Sequence, residues 1–160
     1  MQQQYSKPQL WMLVILRVAI GWHLLYEGIV KLLNPNWSSV GYLLDSKGWF
    51  AGIFHSIAAN PELLQVADFL NIWGLILIGL GLILGLFTRL SAYAGMALLA
   101  LYYLSHPPLL NEVYAIPSEG NYMLVNKNLI ELITLAVLIL FPTGKLIGLD
   151  RFIFRNIKAS

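Results

Sequence analysis

The sequence predicts an all-α fold, a four-helix transmembrane bundle with short interfacial helices in its extracytoplasmic loops. The chain has 160 residues, of which 58% are hydrophobic and only 11% are charged, whereas a soluble domain carries about 25% charged residues. Its apolar residues also form blocks long enough for membrane spans, each of which needs about 20 such residues. The length indicates a single membrane domain over residues 1–160.

Four apolar segments give the predicted spans. The first covers residues 10–33 and ends at Asn34-Pro35. The apolar block 63–104 is too long for one crossing, and Thr88-Arg89 divides it into helices at about 63–87 and 90–105. The fourth span, at about 126–143, is followed by a tail over residues 144–160.

The connections and the basic residues predict the orientation. The 34–61 connection is rich in aromatic residues, including Trp37 and Trp49, which favours an interfacial position. Basic residues are more frequent near the ends of the spans that share a side with both termini, which places both termini in the cytoplasm. Those on the terminal side are Lys7, Arg89, Lys145, Arg151, Arg155 and Lys158, against Lys31, Lys47 and Lys127 on the other.

Composition excludes several classes of chemistry. The chain has no cysteine, so thiol nucleophiles, thiolate zinc sites and iron–sulfur clusters are excluded. A net charge of +2 without a basic, aromatic-rich run does not indicate nucleic acid. The histidines lack metal-ligand spacing, and His23 and His106 are predicted at different depths, so we expect neither a metal nor haem. No signal-peptide cleavage pattern follows the first apolar run, which we expect to be retained.

Ionisable residues within the first span are the strongest functional signal. Arg17, His23, Glu27 and Lys31 lie within about 120° of the helix surface at 100° per residue. Each such group costs about 2.5–3.5 kcal/mol at the centre of a membrane. The stripe should therefore face protein or a wet cavity, and Glu27 precedes Lys31 in the order that favours an ion pair.

The predicted topology brings polar residues of the other spans to the same, outer half of the bundle. The fourth span offers Lys127, Asn128 and Glu131 on one face, and the second offers Asp68 and Asn71 near its start. The third ends there with a further polar pair, Tyr102 and His106.

Two interpretations of this convergence stay open. The residues can form a polar lock that fixes helix pairing, or a ligand site in which His23 exchanges a proton near neutral pH. A quinone, with an apolar tail and a polar head, would fit the second interpretation. We assign catalytic roles to Glu27, Glu131 and His23; the residues predicted to bind the ligand are Lys31, Asn71, Lys127 and Asn128.

Short motifs in order along the chain resemble the DoxX family of small bacterial membrane proteins. The first span matches at Arg17, Gly21, Gly28 and Lys31. The second span resembles the family at Asn71-x2-Gly74 and at its exit, Gly85-Leu86-Phe87-Thr88-Arg89, and the fourth opens with Lys127-Asn128. The resemblance covers about residues 10–145.

The resemblance implies a four-helix protein of the bacterial inner membrane. The family is named for a subunit linked to quinone-dependent oxidation of thiosulfate, and other members are associated with membrane oxidoreductases. This chain departs from the family pattern at Asn71, where relatives often carry a glutamate, and at Glu27, where many carry a neutral residue or histidine. Its 34–61 connection is also longer than the resemblance leads us to expect, which hints at a partner or lipid contact.

The leading hypothesis is a membrane component of a quinone-linked oxidoreductase that binds a quinone-like or other small ligand in a polar pocket. No side chain here carries electrons, so a redox role needs a cofactor or a periplasmic or membrane oxidoreductase subunit. One alternative is a non-enzymatic scaffold that recruits a periplasmic partner. A small-solute or proton transporter is less favoured, since four spans lack an inverted repeat unless a homo-oligomer supplies one.

Overall fold

The computed structural model describes residues 5–108, 113–115 and 123–154, and within these ranges every regular element is a helix. Arg155 and Lys158, used above for orientation, and most of the 107–125 connection lie outside the described residues. The helices are α1 (Lys7–Leu33), α2 (Val40–Leu44), α3 (Ala51–Ala59), α4 (Pro61–Leu84), α5 (Thr88–Ser105), α6 (Lys127–Leu140) and α7 (Asp150–Ile153).

Helices α1 and α4 are long and apolar enough to cross a membrane, by length and composition. A capping box between Ser6 and Gln9 starts α1, and the side chain of Asn60 caps α4 ahead of Pro61. Gly85, with φ of 65°, ends α4 in the left-handed conformation that glycine adopts without strain. The helix therefore stops at Leu84, three residues before the predicted end of the second span.

Helices α5 and α6 have 18 and 14 residues, which gives lengths of about 27 and 21 Å at 1.5 Å per residue. Both fall short of a hydrocarbon core of about 30 Å. The predicted fourth span over 126–143 is helical from Lys127 to Leu140, and Asn126 caps it through the Leu129 amide. That α5 and α6 cross a bilayer stays a prediction.

The four longest helices pack in a closed ring, with α1 against α4, α4 against α5, α5 against α6, and α6 against α1. Their shared interior is aliphatic and is made by Ile20, Leu24, Leu75, Ile78, Leu82, Ala92, Leu99, Leu135 and Leu138. We call the end at which α1 and α5 finish and α4 and α6 begin the upper end, and the opposite end the lower end.

Glycines allow α1 and α4 to approach closely. A Cβ at Gly79 would lie 2.6 Å from the Leu25 amide nitrogen and 2.7 Å from the Gly21 carbonyl oxygen. A Cβ at Gly21 would in turn lie 3.0 Å from the Gly79 carbonyl oxygen. Backbone therefore meets backbone at this crossing, as small residues permit in membrane helices. Gly74, on the same helix, faces open space.

The connection between α1 and α4 contains the two short helices α2 and α3. Asp68 of α4 anchors its first part, because its carboxylate accepts hydrogen bonds from the Ser39 amide at 2.8 Å and the Ser39 hydroxyl at 2.5 Å. Leu43 of α2 and Phe54 of α3 are buried, and α3 packs against both α2 and α4. Trp49, between the two helices, is 99% exposed. The short helices agree with the predicted architecture, and their position at a membrane interface stays a prediction.

A polar network at the lower end joins the segment after α6 to the bundle. Buried Arg17 of α1 donates to the Thr143 hydroxyl at 2.9 Å and to the Ile147 carbonyl at 2.7 Å. Asp150 accepts from the Phe87 amide at 2.7 Å, and from the amide and hydroxyl of Thr88 at 3.0 and 2.8 Å. Asp150 therefore caps α5 from a distant part of the chain.

Candidate functional site

The first part of the candidate site is a pair between α1 and α6. His23 Nε2 lies 3.3 Å from Glu131 Oε1, and the two side chains are 32% and 12% exposed. His23 is on the edge of the buried face of α1, and Glu131 is one turn into α6. An imidazole and a carboxylate at this distance can share or exchange a proton.

The second part is a chain of hydrogen bonds that joins α1, α4 and α5. Lys31 Nζ donates to Asn71 Oδ1 at 3.0 Å, and Asn71 Nδ2 donates to the Tyr102 hydroxyl oxygen at 2.6 Å. The ammonium group also lies over two aromatic rings, 5.2 Å from the centroid of Trp37 and 5.6 Å from that of Tyr102. These distances suit cation–π attraction, so Lys31 is held on several sides.

Further charges are coupled to this chain. Glu27 Oε2 lies 4.0 Å from Lys31 Nζ, with side-chain exposures of 44% for Glu27 and 17% for Lys31. The Lys127 ammonium interacts electrostatically with Lys31, and the Glu27 carboxylate interacts with Tyr102. All four long helices therefore contribute polar groups to the upper end, and several of these groups are partly open to the surroundings.

The structure links six of the seven predicted site residues through side-chain contacts or charge interactions. His23 pairs with Glu131, and Lys31 bonds Asn71. Glu27 and Lys127 each interact with Lys31 through their charges. Asn128 is half-buried in the first turn of α6, and within the described ranges it makes no hydrogen bond to the other six. That these residues bind or transform a ligand stays a prediction.

Two members of the cluster were not assigned a role from the sequence. Tyr102 lies four residues before His106, a spacing that marks one helix face, but tyrosine near a helix end is commonly a packing residue. Trp37 lies in an irregular segment, where no periodicity indicates which way a side chain points. Only the fold brings both rings to the Lys31 ammonium.

A second polar cluster joins the upper connections to the end of α5. The His106 ring stacks on Tyr42 at 3.9 Å between centroids and lies 4.7 Å from Tyr114. Its Nε2 is 3.7 Å from Asp45 Oδ2, and its Nδ1 is 3.1 Å from the Ser105 hydroxyl. Burial lowers the pKa of His106 and outweighs the attraction of Asp45, and burial raises the pKa of Tyr42.

The Tyr42 hydroxyl connects the two clusters, because it donates to the Tyr102 carbonyl at 3.2 Å. Arg17, in contrast, belongs to the lower network. Ile20 of the aliphatic interior lies between Arg17 and His23 along α1. Among the described residues, no group of three or more His, Cys, Asp or Glu side chains is placed to hold a metal ion.

The chain was compared with known families, curated proteins and solved structures. The family model described as DoxX matches residues 12–107, which is more than half of the chain. Neither a curated protein nor a solved structure matches the chain. The matched region contains His23, Glu27, Lys31, Asn71 and Tyr102, and α6 with Glu131 lies beyond it.

Proposed function

This chain belongs to the DoxX family, and we propose that it is the membrane component of a quinone-linked oxidoreductase. It would bind a quinone-like ligand at the upper end of a four-span bundle in the bacterial inner membrane. Both termini would lie in the cytoplasm, so the upper end would face the periplasmic leaflet. The family resemblance supports this class of function, and the polar cluster supports a binding role within it.

One observation carries the proposal: partly exposed polar groups from all four long helices meet at one end of an aliphatic bundle. Lys31, Asn71 and Tyr102 form one hydrogen-bonded chain, and His23 pairs with Glu131. The side chains of His23 and Glu27 are 32% and 44% exposed, which leaves their polar atoms within reach of a ligand. The arrangement suits a polar head group that enters from the side or the top.

The residues present fit a quinone. Its head needs hydrogen-bond donors at its oxygens, which Lys31, Lys127 and Tyr102 supply, and its tail needs apolar surface, which the outward faces of α1 and α4 supply. The bound quinone would contribute the electron-transfer chemistry that no side chain of this protein provides. His23 and Glu131 would hold or pass the protons, and Glu27 would balance the charge on Lys31.

The test is quinone retention by the purified protein. We expect lipid extracts of detergent-purified protein to contain quinone in near-stoichiometric amount by mass spectrometry, and a quinone analogue to displace it. Glu131→Gln should lower the retained amount, because it removes the negative charge beside His23. Glu62→Gln, at an exposed carboxylate in the first turn of α4, is the matched control and should retain it. Purified protein that holds no quinone and binds no analogue would refute the proposal.

The scaffold alternative is favoured by one observation, the apolar surface on the upper connection. Trp49 is 99% exposed, and Leu44, Phe50 and Ile53 are exposed as well. A scaffold would recruit a periplasmic partner through this segment without using the charged cluster. If so, Glu131→Gln would leave function intact, and replacement of residues 44–53 would abolish capture of the partner. A transporter is less favoured, because the aliphatic interior separates the upper polar groups from Arg17.

A further inference from the structure

The orientation of the Asn71 amide is fixed by Lys31. A lysine ammonium has three donors and no acceptor, whereas an asparagine amide has a donor end and an acceptor end. The atom of Asn71 that lies 3.0 Å from Lys31 Nζ must therefore be the oxygen. The amide nitrogen of Asn71 therefore points away from Lys31.

The orientation of Asn71 then decides what Tyr102 can do. The amide nitrogen points at the Tyr102 hydroxyl at 2.6 Å, and this nitrogen is a donor only. The tyrosine oxygen therefore accepts this bond, and its own proton points elsewhere. Among the described residues, the Tyr102 hydroxyl donates no hydrogen bond, and its contact with Asn71 is the one it makes. The neighbouring Tyr103 differs, because its hydroxyl donates to the Leu124 carbonyl at 2.9 Å.

The ring of Tyr102 is held in place independently of its hydroxyl. It packs edge-to-face on Tyr42 at 5.8 Å between centroids, and the Tyr42 hydroxyl bonds the Tyr102 backbone. It also contacts the aliphatic interior of the bundle. Removal of the hydroxyl should therefore leave the ring where it is.

We propose that the Tyr102 hydroxyl is the hydrogen-bond donor to a carbonyl oxygen of the ligand, and that Lys31 and Asn71 are positioning residues that keep its proton free. The inference rests on the proposed function and deepens it, because it states which atom recognises the head group. It also states the chemistry that the ligand needs, an acceptor oxygen attached to an apolar body. A hydrocarbon of the same shape has no oxygen that could accept the hydrogen bond from Tyr102.

The binding test compares decylbenzoquinone with decylbenzene in calorimetric titrations of the full chain in lipid nanodiscs. We expect Tyr102→Phe to raise the Kd for decylbenzoquinone about fivefold to tenfold, the loss of one hydrogen bond. The Kd for decylbenzene should change less than about twofold on the same scale. Tyr103→Phe is the matched control on the same helix and should leave both values unchanged.

The second readout needs no ligand. Infrared spectra of protein with ring-labelled tyrosine report, through the C–O stretch, whether a hydroxyl donates or only accepts. The difference between wild type and Tyr102→Phe should show an acceptor-only tyrosine, and Tyr103→Phe should remove a donating one. Asn71→Asp should convert the Tyr102 band to the donating type, because a carboxylate accepts hydrogen bonds and cannot donate one.

The outcomes separate this inference from the proposed function. If wild type binds decylbenzoquinone and Tyr102→Phe binds it equally well, the assignment of Tyr102 is overturned and the quinone site stands. A donating Tyr102 band in ligand-free protein also overturns the assignment. If wild type binds no quinone, the proposed function fails, and the ligand assigned to Tyr102 fails with it.

Discussion

Replacement of Asp150 should destabilise the whole bundle. Asp150 is 5% exposed and accepts three hydrogen bonds from the turn between α4 and α5. That turn includes Phe87, which has a positive φ of 46°, an uncommon conformation for a bulky residue. The carboxylate thus holds a strained turn and caps α5 while it faces the positive charge of Arg17.

The cost of Asp150→Ala follows from these contacts. A hydrogen bond to a charged group contributes about 1.5–3 kcal/mol, and such values do not add when the bonds share one acceptor. Removing one partner of a buried charged network costs about 3–5 kcal/mol, since the others are left unsatisfied. We therefore expect Asp150→Ala to lower the free energy of unfolding by about 3–5 kcal/mol.

The assay is reversible unfolding in mixed micelles, monitored by tryptophan fluorescence. Glu62→Ala is the control, because it removes an exposed carboxylate at another helix start and should cost no more than about 1 kcal/mol. An ordinary surface substitution changes the free energy of unfolding by up to about 0.5 kcal/mol. If the value for Asp150→Ala lies that close to wild type, the lower network does not hold the bundle together.

Two further predictions concern packing and pH. Gly79→Ala should destabilise the bundle by about 1–3 kcal/mol, since its methyl group meets the backbone of α1. Gly74→Ala, with open space on the same helix, should be neutral or stabilising by up to about 1 kcal/mol, and equal melting temperatures for the two variants would contradict the close crossing. Because burial lowers the pKa of His106 in the folded chain, the unfolded chain takes up a proton first as the pH falls. The stability that depends on neutral His106 should be fully present above the pKa of about 6.5 that its imidazole has in the unfolded chain. It should fall as the pH drops from there through the lower pKa of His106 in the folded chain. In His106→Asn, the melting temperature should depend less on pH between about pH 8 and 5 than in wild type. An unchanged dependence would show that His106 is not the titrating group.

Much of the upper cluster follows from the sequence alone. Helical spacing places His23, Glu27 and Lys31 on one stripe, and the alternating direction of successive spans brings the starts of α4 and α6 to the same end. These two rules were enough to group the three residues with Asn71 and Glu131. They require only long, regular helices, which apolar segments of this length form reliably.

Other contacts could not be predicted, for physical reasons. The partners of Arg17 and Asp150 lie in or beside turns at the lower end. Turns have no periodicity from which the direction of a side chain could be predicted. Helix α4 ends because Gly85 adopts a left-handed backbone conformation. The apolar sequence continues to Phe87 and therefore predicts a longer helix. The role of Tyr102 depends on the orientation of a single amide, which only the three-dimensional contacts with Lys31 determine.

The most direct measurement of the central claim is photolabelling with a light-activated benzoquinone, followed by peptide mapping of the modified residues. We expect the label on α1 near Glu27 and Lys31, on α4 near Asn71 and on α5 near Tyr102, with protection by excess unlabelled quinone. Label confined to the lower end around Arg17, or spread without protection over the exposed apolar faces, would contradict a quinone site at the upper end.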